Sequence, residues 1–173
     1  MLGQKMRKAL LALAATAGLF AAQTAGAEPL PAPVEKPILT ISGHITESNR
    51  EGVAQFDRPM LESLGMQTVE TKTPWYEGKV KFEGVSLDGL MKRVGASGEN
   101  VTIIALNDYS TEIPMEDFAK HKAILALKRN GEYMPVRDKG PLFIVYPYDS
   151  NPELQTHTYY ARSAWQVAKI IVR

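Results

Sequence analysis

None of the 173 residues is cysteine, and no other single feature narrows the outcome as far. A chain without thiols has no disulfide staples, no CxxC redox pair, no thiolate zinc site and no cysteine-held iron–sulfur cluster. Its fold must therefore rest on an apolar core. With 45% hydrophobic residues the material for that core is present, and the length fits one domain better than two.

The first segment reads as an export signal. Lys5, Arg7 and Lys8 precede an apolar stretch over residues 9–22, and Ala25-Gly26-Ala27 supplies the small-x-small cleavage pattern. The stretch is shorter than the ~20 residues of a membrane-spanning helix. Cleavage after Ala27 is expected, giving a periplasmic chain with no membrane insertion afterwards. Losing the three basic residues leaves 17 Lys and Arg against 19 Asp and Glu, a net charge of −2 over 146 residues. Such a balance leaves no electrostatic footprint for nucleic acid.

Residues 28–37 carry Pro29, Pro31, Pro33 and Pro37, the composition of an extended leader. One domain is expected over residues 38–173. Residues 38–45 predict a first strand. Asp57 ahead of Pro59, Met60, Leu61 and Leu64, with Gly65 beyond, predicts a short capped helix. Residues 66–72 predict a weak strand, and residues 73–78 a turn. Ser86 caps a helix whose Leu87, Leu90, Met91 and Val94 share one face, expected to pack against the sheet that contains a strand at residues 101–106, itself covered on both sides. Residues 124–128, Asn130-Gly131 and residues 133–136 read as a hairpin. Further strands are expected at residues 142–146 and 164–172. The fold class is α+β, a mixed sheet with short helices.

Few chemical motifs appear. His44, His121 and His157 stand in no HxH or HExxH spacing, and the chain has no GxSxG, GxGxxG or GxxxxGK[ST] stretch. Paired carboxylates such as Asp108 with Glu112 read as solvated charges. The informative cluster is aromatic: five of seven tyrosines follow residue 132, among them Tyr146, Tyr148, Tyr159 and Tyr160. With Arg137 and Arg162 nearby in sequence, such rings either line a pocket for a planar or anionic ligand or pack beneath a loop.

Five ordered blocks then resemble the molybdopterin-binding domain of the sulfite oxidase family: FEGVSLDGLMKRVG from Phe82, VTIIALNDYSTEIP from Val101, ILALKRNGEYMP from Ile124, KGPLFIVYP from Lys139 and SAWQVAKIIV from Ser163. The resemblance implies a mixed α+β domain that holds a pterin–molybdenum cofactor and oxidises sulfite or reduces sulfoxides. It also implies a molybdenum-ligating cysteine in the region that here reads Thr71-Lys72-Thr73-Pro74-Trp75-Tyr76, and a His-Gly-x-Pro-Leu-Arg stretch where this chain has Lys139 in the histidine position and Phe143 in the arginine position. A Lys-Trp pair near the end is here Ala164-Trp165.

The expectation is therefore a fold kept without its redox centre: a periplasmic small-ligand-binding, sensory or accessory module with no cofactor. The alternative is a molybdopterin-dependent oxidoreductase with an unusual ligand set; a purely structural protein is the third reading. Candidate binding residues are Trp75, Tyr76, Asp108 and Tyr109, together with Arg137, Lys139, Tyr159 and Arg162; no catalytic or metal-ligating residue is expected. The expected partners are a small planar or anionic ligand, a periplasmic or membrane-bound protein, or both.

Overall fold

The computed structural model describes residues 29–173, so the expected export signal and its cleavage point lie outside the described residues. In chain order the elements are β1 (Leu39–Gly43), β2 (Ala54–Phe56), α1 (Arg58–Ser63), β3 (Met66–Thr73), β4 (Tyr76–Ser86), α2 (Leu87–Arg93), β5 (Asn100–Ala105), β6 (Ser110–Pro114), α3 (Glu116–His121), β7 (Ile124–Arg129), β8 (Glu132–Tyr133), β9 (Phe143–Val145), α4 (His157–Arg162) and β10 (Val167–Val172). Short 3-10 turns at Val136–Asp138, Tyr148–Ser150 and Pro152–Leu154 complete the path. This is an α+β fold with one mixed and one antiparallel sheet and few, short helices.

The strands divide into two sheets. One runs β2-β1-β10-β5-β6, with β1 parallel to β10 and the other neighbours antiparallel. The other runs β3-β4-β7, and β7 carries both β8 and β9 along its far edge. The sheets are stitched together after α4. There Phe143 bridges Trp165, and the Val167 N–H donates to the Leu142 carbonyl at 2.9 Å before the chain enters β10 in the first sheet. Leu39, Ile41, Phe82, Leu90, Ile103, Phe143 and Ile170 belong to one continuous buried core between these layers.

Local signals explain most elements. Asp57 accepts the Met60 N–H and caps α1, with Pro59 in its first turn. Ser86 accepts the Gly89 N–H and caps α2, whose Leu87, Leu90 and Met91 are buried. Asn130 and Gly131 both take positive φ, 50° and 87°, which turns β7 into β8. Replacing Gly131 with alanine is expected to cost about 1 to 2 kcal/mol, because a side chain must then enter the left-handed region; a lowered thermal midpoint with an unchanged far-UV spectrum checks it.

Two expectations are corrected. The turn at residues 73–78 shrinks to Pro74-Trp75, because β4 already begins at Tyr76 and runs through Val80 and Phe82, which are buried between exposed Lys79, Lys81 and half-buried Glu83. β5 is not covered equally on both sides: Val101, Ile103 and Ala105 are buried while Thr102 and Ile104 are only half-buried, and Leu106 is exposed. The apolar run had hidden an ordinary alternation. Leu87, Leu90, Met91 and Val94 of the α2 face share one buried core with Val101 and Ile103 of β5.

Candidate functional site

The two-residue turn between β3 and β4 places the Trp75 indole at the junction of the sheets. Four rings meet it edge-on: Phe143 at 5.5 Å between centroids, Trp165 at 5.7 Å, Tyr160 at 5.8 Å and Tyr148 at 6.2 Å. Edge-to-face contact is the preferred geometry for such rings. Beside them opens a cleft of ≈ 390 Å³, lined by Trp75 and Trp165, by Asn107 and Tyr109 from the β5–β6 turn, and by His157, Tyr160 and Ala161 from α4. Its size falls in the range of small-molecule sites. A larger depression of ≈ 610 Å³ over Leu64, Ser86 and Lys92 is shallower and has no aromatic side chain in its wall, so it offers little to hold a ligand.

Tyr109 closes one side of the cleft. Its hydroxyl donates to the Ala161 carbonyl at 2.9 Å, tying the β5–β6 turn to α4, although 46% of its surface stays exposed. Asn107 accepts the Tyr109 N–H through Oδ1 at 3.2 Å, which leaves its amide N–H groups free to face a ligand. Asp108, between them, takes a left-handed φ of 62° and is exposed. It shapes the turn and does not line the cleft.

Lys139 lies one ring away from the cleft. Its Nζ stands 3.8 Å from the centre of the Trp165 ring and 5.8 Å from those of Trp75 and Tyr76. Burial holds the Lys139 ammonium below the ordinary lysine range; Asp138 opposes that effect and Arg129 reinforces it. Tyr76 turns toward a separate group: its hydroxyl donates to Asp138 Oδ1 at 2.9 Å, and Arg129 pairs with Asp138 Oδ2 at 2.7 Å while its guanidinium sits 4.3 Å from the Tyr76 ring centre. Burial, then the Asp138 bond, push the Tyr76 phenol up to about 12. Burial works against ionising Asp138, but the bonds from Tyr76 and Arg129 outweigh it and hold the carboxyl below its usual range. Arg137 is exposed on the neighbouring 3-10 turn.

Helix α4 separates residues that stand side by side in sequence. His157, Tyr160 and Ala161 face the cleft, whereas Tyr159 and Arg162, three apart, face α3. Arg162 donates to Asp117 Oδ2 at 2.7 Å, and Tyr146 donates to the same oxygen at 3.3 Å. The Tyr159 hydroxyl pairs with His121 Nε2 at 3.0 Å. Of the eight candidates, then, Trp75 and Tyr109 line the cleft and Lys139 backs it, while the structure brings Tyr76, Asp108, Arg137, Tyr159 and Arg162 elsewhere. Asn107, His157 and Trp165 are the lining residues that sequence reasoning missed, and Tyr160 joins them from the tyrosine cluster. For Tyr160 and His157 the signal lies in their i, i+3 spacing on one short helix.

The oxidoreductase molybdopterin-binding domain family model matches residues 54–149, from β2 to the turn after β9. The chain belongs to the oxidoreductase molybdopterin-binding domain family. The match begins earlier than the block resemblance expected from Phe82, and it ends before α4 and β10, so Trp75, Asn107 and Tyr109 lie within it while the α4 wall does not. Among curated proteins, none matches this chain.

The family fold implies a molybdopterin, and the donor set in this member does not suit one held through a thiolate. In the segment where the resemblance places that ligand, the buried Thr71 hydroxyl accepts the Asp149 N–H at 3.0 Å and donates to the Lys72 carbonyl at 3.3 Å. Thr73 Oγ1 accepts the Trp75 N–H at 3.3 Å. Neither is a soft anionic donor at neutral pH. Phe143, in the arginine position, is a fully buried ring. Among the described residues no three histidine, aspartate or glutamate side chains group as a metal site.

Proposed function

We propose that this member of the family is a periplasmic ligand-binding or sensory module that uses the aromatic cleft and works without a redox-active molybdenum centre. The observation that carries this reading is the cleft itself: two indoles and two phenols converge on it beside the uncommitted polar groups of Asn107 and His157. Flat apolar faces with a few polar atoms favour a small planar ligand. The missing thiolate and the committed Thr71 and Thr73 hydroxyls support the second half of the reading.

A partner protein is the second reading of the same region, and it too has its own observation. Leu106 and Val136 are exposed, and Gln166 ties both to the segment after Trp165: its carbonyl accepts the Leu106 N–H at 2.9 Å, and its Nε2 donates to the Val136 carbonyl at 2.7 Å. Two exposed apolar residues thus flank the segment that follows Trp165. Oxidoreductase chemistry of the sulfite oxidase type is the alternative that family membership keeps in view.

The test uses the tryptophans. The chain has two, Trp75 and Trp165, and both line the cleft, so intrinsic fluorescence reports its occupancy. Titration with 2-naphthoate is expected to quench that fluorescence saturably. Tyr109→Ala is expected to weaken binding about tenfold, the equivalent of ~1.4 kcal/mol, with an unchanged melting curve. Protein made in a host that synthesises molybdopterin is expected to carry far less than one molybdenum per chain. Stoichiometric molybdenum with sulfite oxidation or sulfoxide reduction would establish the oxidoreductase alternative instead.

A further inference from the structure

Aromatic boxes commonly hold cations, because a positive charge is drawn to the negative face of each ring. In this chain that attraction is already satisfied from within. The Lys139 ammonium lies 3.8 Å from the centre of Trp165 and 5.8 Å from those of Trp75 and Tyr76. Two of those three rings, the indoles, also form the cleft wall. Among the described residues no carboxylate forms an ion pair with Lys139: Asp138, the adjacent acid, is committed to Arg129 at 2.7 Å and to Tyr76 at 2.9 Å. None of the residues lining the cleft is acidic either.

From this arrangement we infer that Lys139 is a charge selector for the cleft, acting through the two indoles to favour planar ligands that carry an anionic group and to reject planar cations. The inference rests on the reading of the cleft as a ligand site. The sign follows from Coulomb's law. A second cation against Trp75 or Trp165 meets the first across a single ring, with no counter-charge in the wall, and two like charges several ångströms apart near a protein surface repel by kilocalories rather than tenths. An anion at the same place gains what the cation loses. Its acceptor oxygens also find donors in the Asn107 amide and the His157 ring. Lys139 itself does not line the cleft, so its effect on affinity comes from charge and not from contact.

Three ligands with one ring system separate charge from shape: 2-naphthoate, 2-naphthylmethanol and (2-naphthylmethyl)trimethylammonium. Each is titrated against wild type, Lys139→Gln and Lys139→Arg by tryptophan fluorescence, at low and at physiological salt. In wild type the carboxylate is expected to bind at least about tenfold tighter than the ammonium, with the gap narrowing as salt screens it. In Lys139→Gln the gap should close while the affinity for the neutral alcohol stays the same, which also shows the cleft intact. Lys139→Arg should keep the selection. Equal binding of both ions by wild type, or a gap that survives Lys139→Gln, overturns the selector and leaves the cleft as a ligand site. Failure of all three ligands to bind wild type overturns the ligand-site reading and the selector with it.

Discussion

Replacing Asp57 with alanine is expected to lower the stability of the domain by at least about 3 kcal/mol, from a lost helix cap at ~1 to 2 and two orphaned N–H groups at ~1 to 3 each. The side chain is fully buried and serves two segments at once. Oδ1 accepts the Met60 N–H at 2.9 Å and caps α1, while Oδ2 accepts the N–H groups of Val34 and Glu35 at 2.7 and 2.8 Å. The proline-rich leader is therefore fastened to the domain through the same carboxylate that starts the first helix, and Leu30, further along the leader, is buried with it. Burial disfavours the charged form of Asp57, but the N–H groups of Glu35, Met60 and Val34 outweigh it and hold its pKa below the ordinary range. A carboxyl depressed in the folded state contributes stability that is full above its unfolded pKa near ~3.9 and is lost as pH falls through the folded value. Urea denaturation of wild type and Asp57→Asn should show a gap at neutral pH that narrows in acid. A gap that stays constant down to pH ~2 would mean the charge contributes nothing.

Much of this fold could be read from the chain because the signals were local. The Asp57 and Ser86 caps, the Asn130-Gly131 turn and the apolar face of Leu87, Leu90 and Met91 each fix their element within a few residues. The site was harder to read because it is assembled at long range. Trp75 meets Trp165 across ninety positions of chain, and the cleft exists because β9 and the segment before β10 bridge two sheets. Tyr159 and Arg162 lie away from this cleft for a specific reason. The run Tyr159-Tyr160-Ala161-Arg162 reads as one aromatic and basic cluster in sequence, but a helical turn sends Tyr160 and Ala161 one way and Tyr159 and Arg162 the other. Lys139 is legible in the sequence as a candidate binding residue, but its place over Trp165 comes from a left-handed residue at the end of a 3-10 turn, which no periodicity announces.

The second large effect is expected at Phe143, where the family pattern has arginine. Phe143→Arg should leave no cooperatively folded protein, whereas Phe143→Leu should cost only about 1 to 2 kcal/mol as a near volume-conserving change. Phe143 is 0% exposed, its ring 5.5 Å from Trp75, 5.7 Å from Phe82 and 6.3 Å from Trp165. On one side its backbone pairs with Ala126 of β7 and on the other with Trp165, so the strand has no room to turn the side chain outward. A guanidinium there finds rings and no carboxylate, and an unpaired buried charge costs several kcal/mol, a large share of the ~5 to 15 that stabilise a domain. Near-UV circular dichroism and a urea melt decide the matter: a sharp transition in Phe143→Arg near that of wild type would show that the arginine position still accepts a charge. If the transition is lost, the Phe143 ring is required for the wall behind Trp75 and Trp165. Phe143 and the aromatic cleft are then one unit of packing, and a charge cannot be placed at the one without dismantling the other.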